Sequence, residues 1–168
     1  LDFSSGARVA VEGPAQLELV DEMRLVLHRG VVTATVPESA SGFVIDTDSA
    51  HVVDIGTAFG VSVSDAGLTD VCVFEGEVEV SAPPTSRNSR TPQLLREGEA
   101  IRSSKASNSI DSVLFEASQF ENAWPMSSGV LQTTGAIRFV SPGPGFHPGN
   151  YQDNQHIVVF PEREGVLP

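Results

Sequence analysis

The chain has 168 residues, a formal net charge of −12 and a single cysteine. That length suits one domain, or one domain with an appendage, and suffices to bury about 70% of the unfolded surface without staples. The charge excludes nucleic acid and anionic membranes as partners held by bulk electrostatics, and the lone Cys72 excludes an intrachain disulfide.

Short alternating runs come first. Val9 and Val11 alternate until Gly13-Pro14 breaks the run, Leu17 and Leu19 follow, and Asp21-Glu22 supplies a turn. Leu25 and Leu27 then fall on odd positions, whereas Val32, Ala34 and Val36 fall on even ones. A strand cannot keep both sets on one face without losing a residue's step, so a bulge or corner is predicted at Gly30. Residues 37–42 read as a loop, Phe43, Val44 and Ile45 as a short strand, and residues 46–49 as a turn.

Residues 51–80 organise the rest. Phe59, Val61 and Val63 alternate, a polar turn with Asp65 and Gly67 follows, and Val71 and Val73 resume. Val78 and Val80 carry on with the opposite parity, which puts a second corner at Glu75-Gly76. Residues 25–32 lie over 71–78 as a weak internal repeat, with residues 94–100 a poorer third copy; the spacing is too irregular for an array. Cys72, inside a strand pattern, reads as a small buried hydrophobe.

The run Val53, Ile55-Gly56-Thr57, Phe59, Val61, followed by Val73, Glu75-Gly76 and Val78 and closed by Leu95-Arg96-Glu97-Gly98-Glu99, resembles the FecR family. The resemblance covers roughly residues 1–104, and its structural motif residues are Gly56, Thr57, Phe59, Glu75, Gly76, Gly98 and Glu99. It implies an extracytoplasmic, non-enzymatic signal-sensing and interaction domain of a membrane regulator of anti-sigma type. In that family such a domain lies outside the inner membrane, anchored by an upstream transmembrane helix, and receives its signal from the signalling domain of an envelope receptor. Iron regulation is only an analogy of fold.

The remaining chain differs in kind. Residues 81–92 are rich in proline and small polar residues and read as an exposed loop carrying Arg87 and Arg90, a partner-binding candidate or a tolerated insertion. Residues 103–108 read as a boundary. Leu114, Ala117, Phe120 and Trp124 fall at helical spacing and predict a short helix over 113–124, ended by Pro125. Strands are expected over 136–140 and 157–160, separated by a Pro- and Gly-rich loop in which Phe146 and Tyr151 are candidates for a glycan or peptide platform.

Candidates for chemistry are few. His147, Asp153 and His156 lie close together as a weak metal candidate, but their spacing fits no metal motif. Asp46, Asp48 and His51 form a second polar cluster that reads as turn capping, since the other ligands of a calcium loop are absent. Glu75, Glu77 and Glu79 alternate with small or apolar residues, as on the solvent face of a strand, and no nucleophile elbow or phosphate loop appears. No catalytic residue and no cofactor is therefore expected.

The expectation is an all-β chain, a β-solenoid-like or twisted β-sandwich unit over residues 1–104, with residues 105–168 as a β-rich extension packed on it. A protein partner in the cell envelope is expected, with no nucleic acid and an oligomeric state left open. The alternative is a cell-surface module binding glycan or peptide. A hydrolase or metalloenzyme would need a bound metal, or a cleft that gathers His147 and His156 with carboxylates.

Overall fold

The computed structural model describes residues 1–84, 91–107 and 109–120 in full, and the backbone alone of residues 138–140 and 156–160. Its strands in chain order are β1 (Arg8–Asp21), β2 (Arg24–Thr35), β3 (Val44–Asp46), β4 (His51–Asp54), β5 (Ala58–Val63), β6 (Leu68–Glu75), β7 (Glu77–Ser81), β8 (Gln93–Arg96), β9 (Ala100–Ser104), β10 (Ser109–Val113), β11 (Arg138–Val140) and β12 (His156–Phe160). Two single 3-10 turns, Glu38–Ala40 and Ala117–Phe120, are the helical elements among the described residues. The protein is all-β, its strands joined in one continuous sheet curled into a half-barrel.

The sheet forks at β2. One edge of β2 pairs with β1, while the other is shared: Arg24–Val26 run parallel to β3, and residues 30–35 run antiparallel to β5. One half therefore continues through β5, β6, β9 and β10, the other through β3, β4, β7 and β8. The divide falls at Gly30, whose φ is +105°. A Cβ there would stand 2.5 Å from the Ala15 Cβ and 2.9 Å from the Pro14 carbonyl oxygen, so glycine is required both for the dihedral and for the close approach. Opposite it, the β1–β2 register shifts between Glu12 and Gln16. Gly13-Pro14 thus bends β1 and does not end it, because the bulge absorbs the bond that proline cannot make.

The parity switches place both sets of valines and leucines inside. Leu25 and Leu27 before Gly30, Val32 and Ala34 after it, Val71 and Val73 before Gly76, and Val78 and Val80 after it are all wholly buried in one core cluster. Phe43 and Phe59 are its largest members, and Phe3 packs edge-on to Phe43 at 4.9 Å between ring centres. Burying one such ring contributes about 1.5–3 kcal/mol.

A second, smaller cluster sits on the outside of the β5 half. Phe120 is fully buried there against Cys72 and Ala100, with Phe74 stacked edge-on at 5.5 Å. The ring occupies the space above Gly60, where a Cβ would lie 2.5 Å from it. The helix expected over 113–124 is replaced, in its described part, by the end of β10 and the turn at Ala117–Phe120. Val113 is taken by pairing with Ala100 on β9, so the helical spacing of the apolar residues reflects packing of Phe120 on the sheet. Residues 105–107, within the stretch read as a boundary, form the tight turn between β9 and β10. Beyond the fork, β12 pairs with the outer edge of β1 from Ala15 to Leu19, and β11 pairs with β12.

Candidate functional site

The motif residues gather at one end of the half-barrel, where the chain changes halves. Asp54, at the end of β4, holds this corner from below: its carboxylate accepts the Gly56 N–H at 2.7 Å and the Thr57 hydroxyl. Burial pushes the Asp54 carboxyl above the usual carboxylate range, against the lowering effect of those hydrogen bonds. Thr57 is buried, and its carbonyl accepts the Val36 N–H at 2.8 Å. Gly76, at φ +81°, packs against this turn so closely that a Cβ would meet the Thr57 Cγ2 at 2.7 Å and the Gly56 carbonyl oxygen at 2.8 Å. The third turn closes on the same point, with the Glu97 N–H donating to the Gly76 carbonyl at 3.1 Å and the Gly98 N–H to that of Val73 at 2.9 Å. Glu99 accepts the Arg96 backbone N–H at 2.8 Å, and Phe59 lies in the main core. Gly56, Thr57, Gly76, Gly98 and Glu99 thus take part in the backbone geometry of the corner.

Around the corner the surface is acidic. Glu77 and Glu79 share the outer face of β7, while Glu75 lies on β6 beyond the corner, so the three do not share one strand face. Arg96 pairs with Glu77 at 3.1 Å. Ile55 projects from the motif turn at 47% exposure, and Leu94 from β8 at 39%.

Two further clusters join strands. Asp46 accepts Arg24 Nε and Nη2 on one oxygen, at 2.7 and 2.6 Å, and meets His51 Nδ1 with the other at 2.6 Å. The turn capping expected of this cluster falls instead to Thr47, whose hydroxyl accepts the Ser49 and Ala50 N–H groups, while Asp48 turns to Lys105 at 3.0 Å. The second cluster is a buried set of hydroxyls. Thr47 and Thr69 share a hydrogen bond at 2.9 Å, Ser49 donates to Thr69 at 2.8 Å, and Ser103 donates to the Ser49 carbonyl at 2.6 Å. It ties the β3–β4 turn of one half to β6 and β9 of the other. No sequence motif marks it, because isolated Ser and Thr residues brought together from distant strands have no spacing to detect.

An open cleft of about 490 Å³ runs where β1 and β2 bend past β5, bordered by Pro14, Arg29, Ser62, Asp70, Arg102 and Gln119. Its cations are committed: Arg102 makes a bidentate pair with Asp70 at 2.6 and 2.8 Å, and Arg29 meets Asp65 at 2.7 Å. Cys72 is buried, and burial raises its thiol pKa, which disfavours the reactive thiolate.

Arg87, Arg90, Phe146, His147, Tyr151 and Asp153 lie outside the described residues. His156 opens β12 opposite Leu19, with its backbone alone described. Among the described residues, no three His, Cys, Asp or Glu side chains come together as a metal site. Sequence reasoning missed Arg24 as the partner of Asp46 and missed the outward placement of Leu94. The signal for Leu94 was present, since of two adjacent leucines in a strand only one can face the core.

Comparison with known proteins agrees with this architecture. No curated protein sequence matches the chain. Two crystal structures of a candidate anti-sigma factor from Parabacteroides distasonis, at 1.65 and 2.50 Å resolution, align with TM-scores of 0.58 and 0.54 and 20% and 21% identity. Each alignment covers 74% of this chain and 58% of that one, so the chain spans little more than half the length of these neighbours, and the likeness is one of fold. Residues 3–79 match the FecR protein family, a stretch that includes two of the three turns meeting at the Gly76 corner.

Proposed function

We propose that the chain is the extracytoplasmic part of a membrane-anchored signalling regulator, a non-enzymatic module that receives a signal from a protein partner in the cell envelope and relays it toward a sigma factor. The observation that carries the reading is the FecR match over residues 3–79, joined to a geometry in which the motif residues build the corner between sheet halves. A module so built offers surfaces for binding and spends its polar motif groups on its own backbone. The solved neighbours, both described as candidate anti-sigma factors, add support at the level of fold, with TM-scores of 0.58 and 0.54.

In this reading residues 1–104 form the unit and residues 105–168 are packed on it. The pairing of β10 with β9 and of β12 with β1 supports that arrangement. No helix among the described residues is long and apolar enough to cross a membrane, and the proposed anchor lies upstream.

The test uses the complete gene product in its host. Deleting the region of residues 1–168 is expected to uncouple a sigma-dependent reporter from its inducing signal, and alkaline phosphatase fused after Pro168 is expected to be active, as it is only outside the cytoplasm. An inactive fusion, or a reporter that responds normally without the region, would overturn the reading.

A further inference from the structure

The outer face of the β3 half combines three properties. First, it is in register: Arg24, Val44, Val53, Glu79 and Leu94 make a single cross-strand row from β2 to β8. Second, its apolar members are only partly covered, with Val44 and Val53 half-buried and Leu94 exposed, and Ile55 stands exposed two residues beyond Val53. Third, its cations among the described residues are already neutralised. Arg24 is bound to Asp46 and Arg96 to Glu77, whereas Glu79, set between Val53 and Leu94, has no ion pair among the described residues. The nearby Glu75 and Glu97 add to the same negative field.

We propose that this face docks a segment of a partner protein in which apolar residues are interspersed with lysine or arginine. The apolar side chains would cover Val53, Leu94 and Ile55, and a cation would meet Glu79. Charge complementarity selects this occupant. A second copy of this acidic chain would oppose carboxylates to carboxylates, and an acidic partner segment would do the same. A carboxylate held between apolar neighbours gains most from a cation when the contact excludes water, so the row supplies both an apolar platform and a specificity element. The inference rests on the reading of the chain as an interaction module, and gives that module a surface and a partner chemistry.

The face is tested first by itself. A peptide alternating lysine and valine, added to the isotope-labelled chain, is expected to shift the amide resonances of Val53, Glu79 and Leu94, while the same peptide with glutamate for lysine shifts none. Glu79→Lys is expected to weaken binding about tenfold or more, and Leu94→Asp comparably, with the melting temperature of each variant checking that the fold is intact. Shifts confined to the opposite half, or unchanged binding by a folded Glu79→Lys, would overturn the assignment.

The second arm uses the complete protein in its host, with a photocrosslinking residue in place of Leu94 or, as a control on the other half, of Asp111. Crosslinks from position 94 that map to a basic, apolar segment support the proposal. Crosslinks from position 111 alone, or from position 94 to an acidic segment, refute it while leaving the interaction module standing. Absence of crosslinks from both positions, with the sigma-dependent reporter indifferent to the region, removes the module reading as well.

Discussion

On the outside of the β5 half, Gly60, Cys72 and Ala100 leave a hollow that Phe120 fills; on the outside of the β3 half, Val44 and Val53 are only half-buried and Leu94 is exposed. Both halves line the same core with their inner faces, so inner packing does not separate them. What separates them is side-chain size on the outside. Small residues in the β5 half accept a ring from the chain itself, which completes that face. Branched and long residues in the β3 half, together with Glu79, which has no ion pair among the described residues, leave a surface suited to a partner. The same curled sheet thus has one face finished internally and one left for association.

The largest expected effect comes from emptying the finished face. Phe120→Ala should destabilise the protein by about 3–5 kcal/mol, read by urea denaturation, because it removes a fully buried ring and leaves a cavity over Gly60. The same variant should speed labelling of Cys72 by a thiol reagent, since Gln119, which contacts its sulfur at 3.7 Å, leaves with the turn. Equal labelling rates in the two proteins would mean that the turn does not shield the thiol.

Filling the hollow from the other side is the next test. Gly60→Ala should cost about 1–3 kcal/mol by overpacking against Phe120. Combined with Phe120→Ala it should cost little more than Phe120→Ala alone, and full additivity would show that the two residues do not share this space.

The tie between halves ranks close behind. Thr69→Val removes the hydroxyl that Thr47 and Ser49 both reach, and should cost about 1–3 kcal/mol because buried partners lose their hydrogen bonds.

A smaller effect, visible through pH, belongs to the motif corner that joins the halves. Because the folded protein holds the Asp54 carboxyl above its ordinary value, the native state binds this proton more tightly than the unfolded chain. The stabilisation is present in full below about pH 3.9 and is lost as pH rises through the raised folded value. The stability of the natural protein relative to Asp54→Asn should therefore fall as pH rises through that window, and a difference that stays constant would contradict it. Smallest of all, Leu94→Ser on the unfinished face should change stability by no more than about 0.5 kcal/mol, in contrast to Phe120.

Much of the framework was legible because it depends on local alternation. The parity changes at Gly30 and Gly76 located both corners, since a period of two leaves no other way to bury Leu27 with Val32, or Val73 with Val78. The motif resemblance pointed to the second of these, at Gly76. Three things were hidden. The bend of β1 at Gly13-Pro14 looked like a strand end, because what keeps the strand running lies on β2, in the register shift opposite Gly30. Phe120 looked helical because its neighbours share a helical spacing, whereas its contacts are with β5, β6 and β9 across the sheet. The acidic row was read as ordinary solvent-facing strand, and only the register that sets Val53 and Leu94 on either side of Glu79 distinguishes it from one. In each case the missing information was which strand lies beside which, and no local pattern encodes that.

The pairing of β12 with β1 also bears on how the protein is made. As the chain leaves the ribosome, the β1–β2 hairpin emerges early, yet the outer edge of β1 at residues 15–19 stays uncovered until residues 156–160 have been synthesised. For that interval the nascent chain displays an open strand edge able to capture β12 of another copy. Translation speed and chaperone access would then govern the yield of correctly paired chains, and a message truncated shortly after residue 120 would give a product that keeps an open β1 edge and is prone to edge-to-edge association.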